Sequence, residues 1–154
     1  MQQFEAQLAW RRGTQPFLDQ RYSRAHAWTF DGGLQVPASS SPLSVPLPMS
    51  DPAAVDPEEA LVAAVSSCHM LFFLALAARA GHVVDSYRDH ALGSMDNNAD
   101  GKMAMTRIVL RPTIVFAAGT APDAIQLEAL HHAAHAQCYI ANSIKAEVSI
   151  EGGA

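Results

Sequence analysis

Two cysteines and a group of histidines carry most of the reactive chemistry in this chain. Cys68 sits in Ser66-Ser67-Cys68-His69, four polar or reactive side chains in the middle of a run from Ala60 to Ala78 without Asp, Glu, Lys or Arg. A cysteine reacts as its thiolate, which cations and hydrogen-bond donors favour and apolar surroundings disfavour. Val65, Leu71 and Phe72 are apolar neighbours, so a reactive Cys68 needs a donor from elsewhere in the fold. Arg21, Arg24, Arg88, Arg107 and Arg111 are the candidates, and residue spacing leaves the choice among them open. His69 points about 100° away around a helix and is poorly placed as the base.

The competing constellation is His131, His132, His135 and Glu128, with Cys138 one turn beyond His135. Positions 128/132 and 131/135 are four apart, so each pair shares a helix face, and two such positions plus a thiolate suit zinc. The order differs from the His-Glu-x-x-His of a metalloprotease. Solvated or core-edge histidines are the simpler reading. Asp96 to Asp100 has a calcium-loop flavour but lacks the loop length and the distal glutamate. Gly32-Gly33 and Gly152-Gly153 read as turns, without phosphate-loop spacing.

The element that must position Cys68 is well marked. Asp56 suits an N-cap, Pro57 the first helical position, and Glu59 the return arm of a capping box. Arg79 falls in the last turn, and Gly81 is a stop. The result is one long helix with a cysteine at its midpoint. Its length raises a transmembrane reading. The flanking charges and the central Ser66, Ser67 and His69 argue instead for a soluble helix, buried nearly all round.

Around it, Phe4 to Trp10 alternates like a half-buried strand. The second half of Tyr22 to Phe30, a turn at Asp31-Gly32-Gly33 and Leu34 to Val36 read as a hairpin. Ala38 to Pro48 is a Ser/Pro-rich loop or edge strand. His82 to Met95 and Met103 to Ala117 read as two strands joined by a turn over Asp96 to Gly101, with Pro112 marking an edge or bulge. Pro122 to about Asn142 is helical, with Leu127, Leu130, Ala134, Cys138 and Ala141 on one face. Ile144 to Ile150 alternates as a last strand. Strands, long helix, strands, helix, strand is the order of an α+β fold with helices on antiparallel sheet.

With 154 residues, 49% of them hydrophobic, the expectation is a single domain over residues 1–154. A net charge of −5 and a pI near 5.7 argue against nucleic acid or an anionic membrane surface as partner. Met1-Gln2-Gln3-Phe4-Glu5 lacks the basic start of a signal peptide, so a cytoplasmic location is expected. In a reducing compartment two cysteines are inert core residues, metal ligands or a redox pair.

The stretch from Asp56-Pro57-Glu58-Glu59 through Ala60-Leu61-Val62-Ala63-Ala64-Val65-Ser66-Ser67-Cys68 resembles the hallmark of the OsmC/Ohr family of osmotically inducible and organic-hydroperoxide-resistance proteins. Ala136-Gln137-Cys138-Tyr139-Ile140-Ala141-Asn142-Ser143 resembles that family's second-cysteine helix. The resemblance covers nearly the full chain in cysteine spacing and strand order. It implies antiparallel sheets wrapped around a long central helix, in an intertwined homodimer with sites at the interface. It also implies a thiol peroxidase for organic, possibly lipid, hydroperoxides, acting in oxidative stress defence without metal or haem.

On that resemblance Cys68 is the peroxidatic nucleophile and Cys138 the resolving thiol, with an external dithiol as reductant. Arg24, with Arg21 as fallback, holds the thiolate, and Glu58 pairs with the arginine. Ten helical residues rise about 15 Å, so Glu58 and Cys68 of one straight helix cannot serve one site. Either the helix breaks between them or Glu58 comes from a second subunit. Cys138-Tyr139 departs from the Cys-Pro of many members. His69-Met70-Leu71-Phe72-Phe73 is bulkier than usual there and favours a large apolar peroxide. A non-enzymatic stress or small-ligand-binding protein with structural cysteines is the alternative.

Overall fold

The computed structural model describes residues 1–152. Two compact units follow one another along the chain, Met1–Ala60 and the residues from Leu61 onward. In the first, β1 (Ala6–Ala9), β2 (His26–Phe30) and β3 (Gln35–Ala38) form an antiparallel sheet in that order. Leu8 pairs with Trp28, and Trp28 with Val36. The β2–β3 turn uses Gly33 at φ +83°, a conformation that side chains beyond glycine resist. Pro37 is tolerated because β3 is an edge strand. The alternation of Phe4 to Trp10 promised a half-buried strand, yet β1 is shorter and all four of its residues are exposed. As an edge strand it lacks a covering layer within this unit.

Helix α1 runs Pro57–Arg79. The Glu59 N–H donates to Asp56 Oδ1 at 2.7 Å, and the Asp56 N–H to Glu59 Oε2 at 3.4 Å, closing the capping box. At the other end, Gly81 has φ +85°, the His82 N–H reaches the Ala77 carbonyl, and the Gly81 N–H reaches Ala78. This Schellman closure satisfies the last carbonyls.

In the second unit β4 (Val84–Asp89) pairs with β7 (Pro112–Phe116), and β5 (Leu92–Asn97), β6 (Met103–Leu110) and β8 (Glu147–Ile150) form a second sheet. The two long strands expected over 82–95 and 103–117 are therefore each divided between sheets. Pro112 has no N–H for a ladder, and the Arg111 N–H donates to Asp89 Oδ1 at 2.6 Å instead of to a strand. The chain changes sheet at this point. β8 pairs in parallel with β6, because β7 and a helix intervene as a crossover. The turn after β5 is tighter than expected: β5 extends to Asn97, and Asn98 Oδ1 accepts from the N–H groups of Asp100 and Lys102.

Helix α2 spans Ala124–Gln137, shorter than the expected 122–142. Asp123 and Gln126 form a capping box at its start, and Cys138 ends it with extended backbone. A single 3-10 turn, Ala141–Ser143, follows. Gly152 has φ +90°, as a turn requires, and Gly153 lies outside the described residues.

The apolar interior of this unit is in two clusters along α1. Val65 packs with Ile108 and Leu110 of β6, and Phe73 and Ala77 pack with Ile114, Leu127 and Ala134. The buried face of α1 reads Val65, His69, Phe73, Ala77, one residue per turn. His69 is the polar member between two oily regions. The opposite stripe is open: Ala63, Ser67, Leu71 and Ala75 are exposed, Leu71 by 60%. The helix expected to be buried nearly all round is buried on one side in the single chain.

Candidate active site

Two thiols meet where α1 passes the end of α2. Cys68 is half-buried, and Cys138 is 1% exposed; both are free. Cys138 is held by the end of its helix, its Sγ accepting the Ala141 N–H at 3.4 Å and lying 4.0 Å from the Val65 carbonyl. Burial pushes the Cys138 thiol up and the neighbouring Cys68 pushes it further, while the Ala141 N–H opposes both. Cys138 therefore resists losing its proton, and its S–H faces the Val65 carbonyl.

Behind the thiols lies a buried polar cluster. His69 Nε2 and His131 Nδ1 are 3.1 Å apart, with rings 9° from parallel and centroids 5.4 Å apart. Phe73 lies against His131 with centroids at 4.6 Å. Burial, reinforced by His131 and His135, lowers His69 to about 4, and burial lowers His131 as well. Ser66 Oγ donates to Asp89 Oδ2 at 2.5 Å. Burial, with Asp89 nearby, pushes the Tyr87 hydroxyl up. The signal for this cluster was present as Val65, His69 and Phe73 at spacings of four. Its partner on α2 was visible only as one of three histidines with no stated target.

That histidine group does not gather at one point. His131 faces inward and is bonded to His69, whereas His132 and Glu128 are exposed. Among the described residues no three His, Cys, Asp or Glu side chains converge on a common point.

The arginine candidates separate. Arg107 and Arg111 are exposed and paired with Glu151 at 3.3 and 3.2 Å. Arg88 is exposed on β4, and Arg21 is exposed in the first unit. Arg24 is the most constrained. Its guanidinium donates to the carbonyls of Gln20, at 2.8 Å, and Tyr22, and lies 3.7 Å over the Tyr22 ring. It lines a cavity of about 520 Å³ in the first unit with Trp10, Phe17, Tyr22, His26 and Ser39. Glu58 belongs to this unit also, and its Oε2 is buried without a partner among the described residues. Among the described residues no ion pair between Arg24 and Glu58 is found. α1 is continuous from Pro57 to Arg79, so no break turns Glu58 back toward Cys68. Cys68 and Cys138 are thus neighbours in the second unit, and Arg24 and Glu58 belong to the first.

A family model for OsmC-like protein matches residues 50–152. The chain belongs to the OsmC family. An OsmC-like protein of unknown function from Vibrio cholerae is 50% identical, with a TM-score of 0.96 over 98% of this chain and 99% of that one. An organic hydroperoxide resistance protein from Elizabethkingia anophelis, with thiocyanate bound, is 14% identical with a TM-score of 0.70, covering 99% of this chain and 98% of that one. Another from Legionella pneumophila is 15% identical with a TM-score of 0.68 and the same coverage. These two share the fold. No curated protein sequence matches the chain. The α+β architecture expected from the sequence is that of these OsmC and Ohr structures.

Proposed function

We propose that this OsmC-family protein is a cysteine-based peroxidase that reduces organic hydroperoxides in oxidative stress defence. The observation that carries the reading is the contact between the Cys138 and Cys68 thiols. The Cys68 thiolate attacks the terminal peroxide oxygen and the O–O bond breaks. The alcohol leaves with a proton, and Cys68 becomes a sulfenic acid. Cys138 then attacks the Cys68 sulfur, releasing water and closing a disulfide. An external dithiol returns both thiols, so no metal or organic cofactor takes part.

In this reading the working unit is a cytoplasmic homodimer. The exposed stripe through Leu71 on an otherwise apolar helix supports it, as does the unpartnered, buried Glu58 Oε2. A second copy supplies Arg24 to the thiolate and Glu58 to that arginine. The bulky Leu71-Phe72-Phe73 segment favours a large apolar peroxide over hydrogen peroxide. The test is consumption of cumene hydroperoxide with dihydrolipoate as reductant. Turnover in the wild type and none in Cys68→Ser supports the reading; equal rates, or no turnover in either, refutes it. Sedimentation of dilute protein is expected to give a dimer, and a monomer contradicts the homodimer.

A further inference from the structure

We propose that the buried hydrogen bond between His69 and His131 is a pin that holds the two cysteine-bearing elements in the register from which Cys68 and Cys138 join, and that acid releases it. The proposal rests on the reading that these two cysteines form a disulfide. His69 follows Cys68 directly in α1, and His131 stands on α2 two turns before Cys138. One bond, 3.1 Å from Nε2 to Nδ1, therefore ties the two elements beside both thiols. The near-parallel rings are held in place by Phe73.

An N–H···N bond between imidazoles needs one proton on the facing pair of nitrogens. The neutral pair provides it, with one ring as donor and the other as acceptor. Charging the pair is resisted twice. Burial opposes the first added proton, and the second sets two N–H groups against each other. The surroundings offer little relief. His69 Nδ1 and His131 Nε2 are buried without partners among the described residues, and so is Nδ1 of His135 on the same helix as His131. From β4, Tyr87 presents an unpartnered hydroxyl. Asp89, the one nearby anion acting on both rings, already accepts from Ser66 and from the Arg111 N–H. Protons taken up at low pH are accommodated by parting the rings, and parting the rings separates the thiols.

Linkage makes the effect reciprocal: disulfide closure and histidine protonation oppose each other. The measurement needs no peroxide. The protein dithiol and glutathione disulfide exchange to the protein disulfide and two glutathione thiols, approached from both directions, with products counted by mass. With all thiols protonated, this exchange moves no net proton, so it has no pH slope of its own. A thiolate in the reduced protein would make the constant rise toward acid. Against His69→Gln/His131→Gln, which keeps the same thiols, the pin makes the wild-type constant fall toward acid, by about twofold at about pH 4, where His69 of the reduced protein is half-charged. His69→Gln/His131→Gln keeps an amide hydrogen bond without a titrating ring and is expected to carry only the slope of the thiols. His69→Ala, which strands His131 Nδ1, is expected to lower the constant about tenfold at about pH 7.

A wild-type constant that does not fall toward acid relative to His69→Gln/His131→Gln overturns the proposal, as does a His69→Ala constant equal to wild type. The wild type alone provides a second readout by NMR: both imidazoles should titrate at lower pH in the disulfide form than in the reduced form. Equal titration in the two forms overturns the pin. Intact exchange without peroxide turnover sinks only the peroxidase reading. No Cys68–Cys138 disulfide at any glutathione ratio sinks both.

Discussion

Acidification should unfold this protein through His69, and the size of the effect follows from its burial. His69 is 1% exposed and lowered to about 4, against an ordinary value of 6.5. Below pH 6.5 the unfolded chain binds a proton that the folded chain still refuses. Stability is therefore intact above pH 6.5 and falls as the pH drops toward 4, where the folded state is protonated too and the slope ends. Over that window the loss from this one residue is about 3 kcal/mol, and His131, also lowered, adds to it. A domain of this kind has a total stability on the order of 5–15 kcal/mol, so the loss is a large part of it. The assay is urea unfolding at a fixed protein concentration across the window, for wild type and His69→Gln. With an m-value of about 2 kcal/mol per molar, the wild-type midpoint should fall by about 1.5 M more than that of the variant. Protonation of carboxylates affects both proteins and cancels in the comparison. Identical slopes in the two proteins would refute the assignment of a buried, neutral His69.

Other substitutions probe the packing that positions the thiols. A Cβ on Gly93 of β5 would lie 2.5 Å from Val62 Cγ2 and 2.7 Å from Met105 Sδ. Gly93→Ala should therefore cost about 1–3 kcal/mol by urea unfolding. Val62→Ala in the same protein should recover part of that loss, and strict additivity would contradict the clash. Phe73→Ala removes a fully buried ring from between α1 and α2 and should cost about 3–5 kcal/mol by the same assay. Asp123→Ala removes the capping box of α2 and should cost about 1 kcal/mol, read as a lower melting temperature.

The start and end of α1 were legible because caps are local chemistry. Asp56, Glu59 and Gly81 make the predicted bonds with neighbours a few residues away. The β2–β3 turn was legible for the same reason. The division of the long strands was not, because it depends on Asp89 taking the Arg111 N–H, a contact across 22 positions that no periodicity encodes. α2 stops early for a similar reason. Its apolar period runs on through Ala141, but Cys138 turns its sulfur inward to Ala141, Val65 and Cys68 and leaves helical geometry. At the site, the two cysteines were named from the family motifs, and their contact came from the fold. The His69–His131 bond joins positions 62 apart, and helix phase indicated only that His69 points away from Cys68. The exposed stripe of α1 was hidden by its uniform oiliness, since an all-apolar helix gives no sign of which side its own chain covers.

The most direct test of the central claim is a count of free thiols after one equivalent of cumene hydroperoxide. Wild type should lose both thiols of each chain to a Cys68–Cys138 disulfide. Cys138→Ser should lose one, as a sulfenic acid trapped by dimedone, and Cys68→Ser should lose none. Retention of both thiols in wild type, or equal loss in wild type and Cys68→Ser, would contradict the account.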